Sequence, residues 1–243
     1  MSDYLSDEEQ VERLKRWVKS YGSAALTGVL LALIAFFGWH YWEKRQENKS
    51  IASLNQYQKI VNDSEGAMAD KAVQSRFISN VQTLVKSDPN SIFAFQALLM
   101  QAKVTAAQGE WVSAEKALTQ AVGLKVDDQG LINIAWLRLA RVQTAQNKFD
   151  AALASLKNVS APAFLASVDE LRGDILVQKN DIKGAKVAYE SAWAALVKRQ
   201  QTRELLKVKM NAIGLIPTEI SPPNPIRETP QISAIPTENG AAS

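Results

Sequence analysis

Few residues in this sequence are suited to chemistry. The chain has one histidine, His40, and no cysteine. Thiol nucleophiles, zinc–thiolate sites, iron–sulfur clusters and disulfides are thereby excluded. A single imidazole inside the most apolar stretch serves neither a multi-histidine metal site nor a soluble Ser-His-Asp triad. Two pairs of adjacent carboxylates occur, Asp127-Asp128 and Asp169-Glu170. Neighbours on a helix point in different directions, so adjacency alone makes no acid–base pair. No glycine-rich phosphate loop, EF-hand or HExxH pattern is present. The sequence therefore leads us to expect no catalytic residue, no cofactor and no metal site. The remaining chemistry is recognition by charge and shape.

The basic residues frame that recognition. Net charge is only +3 over 243 residues, too mild a bias for a dedicated nucleic-acid binder, and no nucleic-acid partner is expected. Seven basic groups lie between Lys183 and Lys209 against Glu190 and Glu204. Such a cluster reads as a solvated face, or as one turned to anionic lipid or an acidic partner. Lys103 and Arg141 occupy equivalent positions in an internal repeat. The pair reads as ordinary solvated charge or as a clamp for a carboxylate or acidic peptide.

The elements that would position these groups are helical. From Ser20 to Trp42 no charged side chain occurs for 23 residues. As a helix this stretch is roughly 35 Å long, enough to cross a hydrocarbon core of ~30 Å. Trp17 and Tyr21 at one end and Trp39, Tyr41 and Trp42 at the other form an interfacial aromatic belt. Gly28, with Ala24 and Ala32, puts small residues on one face of the span. The run is too long for a signal peptide and lacks a small-residue cleavage site. His40 reads as an interfacial anchor. Four basic residues lie on each side of the span (Arg13, Lys15, Arg16, Lys19; Lys44, Arg45, Lys49, Lys59), so charge bias does not orient it. A short N-terminal tail before a long C-terminal body leans toward N-in, C-out.

The body, residues 43–216, has only two prolines, Pro89 and Pro162, and no alternating β-branched runs. Three stretches align: Gly109-Glu110-Trp111-Val112-Ser113-Ala114, Asn147-Lys148-Phe149-Asp150-Ala151-Ala152 and Asn180-Asp181-Ile182-Lys183-Gly184-Ala185. Their final alanines are 38 and 33 residues apart. Twelve positions earlier stand Ala102, Ala140 and Gly173; seven later stand Ala121, Val159 and Ala192. This is the grammar of tetratricopeptide helix hairpins. Small residues let two antiparallel helices cross closely, and Trp111 or Phe149 fills the gap near the turn. The 38-residue spacing implies an insertion near Val126–Gly130. The bulky first-helix position holds Leu98, Trp136 and Asp169, so only one of three is aromatic. The expected class is all-α: one N-terminal transmembrane helix and a tetratricopeptide-repeat-like α-solenoid.

The expected domains are a short cytoplasmic tail (1–19), the span (20–42), the helical domain (43–216) and a Pro-rich tail (217–243). That last segment holds six of the eight prolines and reads as disordered or polyproline-like. The first body helix should continue from the span, since no breaker separates Trp42 from Asn62. Ile51, Leu54, Tyr57 and Val61 follow helical spacing there, as do Val73, Phe77, Val81 and Leu84 in the next helix. Residues 200–216 should cap the stack. The repeat alignment assigns the partner groove to Gln96, Ile134 and Ser167, to Leu99, Leu137 and Glu170, and to Lys103, Arg141 and Asp174.

One known family shares this layout. Asp7-Glu8-Glu9-Gln10-Val11-Glu12-Arg13-Leu14-Lys15-Arg16-Trp17, the span, and Gly38-Trp39-His40-Tyr41-Trp42 resemble the YfgM family. So do Leu137–Gln143, Asp169–Asp174 and Lys207–Ile213. The resemblance covers about residues 4–216; the Pro-rich tail departs from it. It implies an ancillary subunit of the SecYEG translocon in the bacterial inner membrane, with the N-terminus cytoplasmic and a periplasmic tetratricopeptide-like domain. It also implies association with a membrane-anchored periplasmic prolyl-isomerase-like chaperone and help in passing unfolded secretory clients to chaperones. A stress-response role of the cytoplasmic tail is part of the same expectation. The alternative from the residues is a membrane-tethered scaffold for another envelope complex, in cell division or outer-membrane assembly.

Overall fold

In the computed structural model, residues 7–218 are described, apart from the side chains of residues 7–10 and 23–25. The expected Pro-rich tail lies outside them from residue 219 on, as do residues 1–6 of the expected N-terminal tail. Every regular element among the described residues is a helix. They are α1 (Asp7–Ala69), α2 (Lys71–Ser87), α3 (Ile92–Ala107), α4 (Trp111–Val122), α5 (Gln129–Ala145), α6 (Phe149–Leu156), α7 (Leu165–Gln178), α8 (Ile182–Val197) and α9 (Glu204–Ala212). A short 3-10 turn, Pro162–Phe164, precedes α7. The chain divides into two compact units, residues 1–126 and 127–243.

The first unit is built on α1, a helix of 63 residues without a break. The expected boundaries at 19/20 and 42/43 fall inside it. From Leu26 onward it holds the one described helix long and apolar enough to cross a membrane by length and composition. Its C-terminal third packs on α2 and α3. The face that packs is not the apolar stripe expected from spacing. Ile51 and Leu54 are 50% and 38% exposed, and Val61 is similarly open. Ser53, Ile60 and Ala67 are the buried residues. Seven residues apart, they lie on one helix face. Small Ser53 and Ala67 let the neighbouring helices approach, which apolarity alone does not reveal. Of the expected α2 stripe, Phe77, Val81 and Leu84 are fully buried and Val73 is half-buried.

Two contacts fix α1 to the α2–α3 turn. Ser53 Oγ donates to Asp88 Oδ2 at 2.8 Å, and Lys49 Nζ meets Asp88 Oδ1 at 2.8 Å. Asp88 is the C-cap of α2, so this carboxylate joins the turn to the helix that leads out of the span.

The hairpin turns share one local geometry. Gly109, Asn147 and Asn180 all have positive φ, 75°, 59° and 60°. The next residue's N–H donates five residues back in each case: Glu110 to Thr105, Lys148 to Gln143, Asp181 to Leu176, each at 2.9 Å. This is the Schellman closure, which needs a left-handed residue that glycine and asparagine tolerate. The small residues expected at the helix crossings, Ala102 with Ala114 and Ala140 with Ala152, are buried. Gly173 shows why the third hairpin has no alanine there. A Cβ on Gly173 would lie 2.3 Å from the Tyr189 ring.

The expected insertion is the connection between α4 and α5, where Asp128 caps α5 by accepting from Leu131 N at 2.9 Å. Phe149 and Val159 pack on the α5–α6–α7 core of Leu137, Ala152, Leu156 and Ile175. A second core joins α8 to α9 through Trp193, Leu196, Leu206 and Met210.

Candidate partner-binding face

Each unit shows its own part of the expected groove. On α3, Lys103 is exposed and Gln96 half-buried, while Leu99 is buried. On α5, Arg141 is exposed and Ile134 half-buried, while Leu137 belongs to the core. Leu99 and Leu137 therefore support the helix from below. Lys103, Gln96, Arg141 and Ile134 are the members open to solvent.

The third repeat is different. Its positions Ser167, Glu170 and Asp174 on α7 are engaged by α9. Arg203 Nη1 donates to Glu170 Oε2 at 2.5 Å, and its Nη2 reaches Ser167 Oγ at 3.4 Å. Lys209 Nζ donates to Glu170 Oε1 at 2.7 Å and to Asp174 Oδ2 at 2.8 Å. Asp174 also accepts from the Tyr189 hydroxyl at 2.8 Å. Glu170 and Asp174 are four residues apart on one helix face, and Arg203 and Lys209 close over them.

This closure sets the electrostatics. Burial on its own would push Glu170 up, but the hydrogen bonds and charges of Lys209 and Arg203 outweigh it and hold the carboxyl below its usual range. Burial likewise works against the Lys209 charge, yet Asp174 and Glu170 raise its pKa. Burial and the bond to Asp174 push the Tyr189 hydroxyl up. The network is a charge-satisfied clasp.

Sequence reasoning placed Arg203 and Lys209 in an outward basic cluster. The structure turns both inward. Arg199 donates to the carbonyls of Ala163 and Pro162, and Lys207 pairs with Glu204. Lys183 and Lys198 remain exposed. The available signal was sign: the position that holds Lys103 and Arg141 holds Asp174 in the third repeat.

The two adjacent carboxylates of α7 part company, as helix geometry requires. Glu170 faces α9. Asp169 is buried against α8, where it accepts from Ser191 Oγ at 2.6 Å and pairs with Arg172. The missing aromatic at this position is thus replaced by a satisfied buried ion. No group of three or more His, Cys, Asp or Glu suited to a metal occurs among the described residues.

In α1, Tyr21, Gly28, Trp39 and Trp42 are exposed. Trp39 and Trp42 lie 6.0 Å apart by ring centroids, and Trp17 and Tyr21 6.3 Å. His40 stacks on Phe36 and lies 3.8 Å from the Glu43 carboxylate. Both of these contacts lie along α1 itself.

A helical layout of this kind has known counterparts. The family model described as a tetratricopeptide repeat-like domain matches residues 15–215. The ancillary SecYEG translocon subunit of Haemophilus influenzae is 30% identical over 212 residues, covering 87% of this chain and 99% of that protein. That of Escherichia coli is 30% identical over 219 residues, covering 88% and 100%. The chain belongs to the YfgM family. A more distant YfgM-family relative, the ancillary SecYEG translocon subunit of Neisseria gonorrhoeae, is 27% identical over 216 residues and likewise covered in full. The family match spans α1 beyond its first turns, all of α2–α9 and the turn after α9. YfgM-family membership thus includes both the membrane-length helix and the hairpins.

Proposed function

We propose that this protein is a non-enzymatic adaptor held in the bacterial inner membrane by α1 and associated with the SecYEG translocon. The observation that carries this reading is the full-length similarity to proteins named as ancillary SecYEG translocon subunits. The physical support is α1 itself. One unbroken helix leads from the membrane-length segment into the first helical packing, where Asp88 ties it down. A domain carried on such a stalk stays near the bilayer, where a translocon partner is. We place residues 1–19 in the cytoplasm and the helical domain in the periplasm. There it takes secretory clients from the channel and, with a membrane-anchored prolyl-isomerase-like chaperone, passes them on. The cytoplasmic tail takes the stress-response role.

On this reading the open basic positions, Lys103 on α3 and Arg141 on α5, receive acidic segments of a partner. The test is crosslinking of the tagged full chain in intact membranes, mild solubilisation, and identification of what co-purifies. Translocon subunits with a periplasmic chaperone are the expected recovery. A different envelope complex, with no translocon above background, overturns the proposal in favour of a scaffold elsewhere. Lys103→Glu and Arg141→Glu should each lower the recovered partner about tenfold, a loss of about 1.4 kcal/mol. Unchanged recovery moves the binding face away from these positions.

A further inference from the structure

In the first two hairpins the positions held by Lys103 and Arg141 are open to solvent. In the third, the equivalent Asp174 and its neighbour Glu170 lie under α9. The helix that covers them comes from outside the repeat pattern and has the make-up of a bound peptide. Its Leu206 and Met210 are buried in a seat formed by Ala166 of α7 and by Tyr189 and Trp193 of α8. Ile213, at the end of α9, is half-buried against the same core. Arg203 and Lys209 stand on either side of this apolar stripe at helical spacing. Both end on the α7 carboxylates, Arg203 on Glu170 and Lys209 on Glu170 and Asp174. The seat has an aromatic floor and an acidic rim. Anchors at i, i+4 and i+7 entering such a seat are the pattern of a helix bound in a groove.

The grip on α9 comes from this inner side. Leu205 and Val208, on the opposite side, are 61% and 63% exposed. The helix has little support of its own. Isolated helices shorter than roughly 12–15 residues are marginal in water, and α9 has nine. Its N-cap is Arg203, whose side chain makes no capping bond. Between Lys198, which ends α8, and Arg203, Gln200 takes φ 54°. The hairpin turns give that left-handed conformation to Gly109, Asn147 and Asn180. Glycine and asparagine tolerate it, whereas glutamine does not share the preference. The joint is therefore strained in the docked arrangement, and α9 is helical because the seat holds it.

We propose that the seat on α7 and α8 is a binding site for a cationic amphipathic helix of a partner, and that α9 is its resident occupant, an autoinhibitory contact that such a helix displaces. The chemistry of the incoming segment is read from α9 itself: two cations flanking an apolar stripe, as Arg203 and Lys209 flank Leu206, Met210 and Ile213. A segment with acidic groups at those two positions meets Glu170 and Asp174 and is rejected. Because α9 is tethered, a free copy of its sequence competes against an effective concentration of about 1 mM, and a partner must bind more tightly than that copy to open the site at lower concentration. The inference concerns α7, α8 and α9 alone and stands whichever complex the protein joins.

The absence of cysteine supplies a single-site reporter. Met210→Cys in the full-length protein, held in lipid nanodiscs, places a buried thiol under α9. Its maleimide labelling is followed while a synthetic peptide of residues 199–216 is added. The rate should rise about tenfold and saturate, with its half-point near about 1 mM peptide. The same peptide carrying Arg203→Glu and Lys209→Glu should leave the rate unchanged. Leu156→Cys, in the core of α5, α6 and α7, should label no faster with peptide. Acceleration there as well would mean that the body unfolds, and overturns the proposal. A Met210→Cys rate indifferent to the native peptide, or raised equally by both peptides, makes α9 a fixed cap and also overturns it. A rate that rises with protein concentration in the absence of peptide overturns it in favour of α9 exchanging between copies. A second readout needs no cysteine. The fluorescently tagged peptide should bind the full-length Lys209→Ala protein about tenfold more tightly than the unsubstituted one, since the resident helix is weakened while the α7 carboxylates remain. Equal affinity for the two would place the peptide elsewhere and overturn the proposal.

Discussion

At the scale of single residues, the most consequential side chain is Glu170. It is buried, belongs to the expected groove set, and is used by the protein to hold its own α9. Its carboxyl is held below its usual range, so its stabilisation is complete above the unfolded pKa and is lost as pH falls through the lower folded value. Lys209 and Tyr189 are shifted upward; their contributions are complete below their unfolded values and decline as pH rises through the folded ones. Stability should therefore be flat between about pH 5 and 9 and fall on both sides. Denaturant midpoints across pH check this, and Glu170→Gln should lower the plateau while flattening the acid limb. An acid limb unchanged by Glu170→Gln would show that the clasp does not govern acid stability. Little of this network was legible in the sequence. Its partners are 33 to 39 residues apart, and only packing brings Arg203 and Lys209 onto α7. Gly173 was legible as a close crossing, because a missing side chain marks its own purpose.

At the scale of elements, the hairpins were the most readable part of the chain. A turn residue, a large apolar residue and a small crossing residue all act locally, so their spacing survives without knowledge of the fold. Asn147 and Asn180 occupy the left-handed position that Gly109 holds in the first hairpin. Asn147→Val should cost about 1–2 kcal/mol or more, because a β-branched side chain resists positive φ. Asn147→Gly should be close to neutral. Urea denaturation of both variants checks the pair; equal losses would mean that the asparagine side chain, and not the backbone angle, holds the turn. The α1 face was less readable. Apolar spacing pointed to Ile51, Leu54, Tyr57 and Val61, yet the chain buries Ser53, Ile60 and Ala67. Close helix approach favours small residues, and a hydroxyl that finds Asp88 is welcome inside. Tyr57 still meets Phe93 at 5.7 Å, on the flank of that interface.

At the scale of the molecule, the membrane-length segment and the first helical packing are one rod, and that continuity was expected from the lack of any breaker between Trp42 and Asn62. The rod matters because an unbroken helix transmits position, whereas a flexible linker does not. Lys49 and Ser53 fix its upper part to Asp88, leaving residues 43–48 as the only helical stretch between the belt residue Trp42 and the first of these contacts. A proline there removes a backbone hydrogen bond and clashes with the preceding turn, about 3 kcal/mol or more in a helix interior. Asn48→Pro should therefore open the stalk locally and leave the hairpins intact. Trypsin cleavage after Lys44 and Arg45, slow within a helix, should accelerate severalfold in membranes, while the helical body melts at an unchanged temperature. Crosslinks from the body to membrane partners should then spread over more sites. Unchanged cleavage would show that the stalk is already open in the membrane, and that the tie at Asp88 alone places the body.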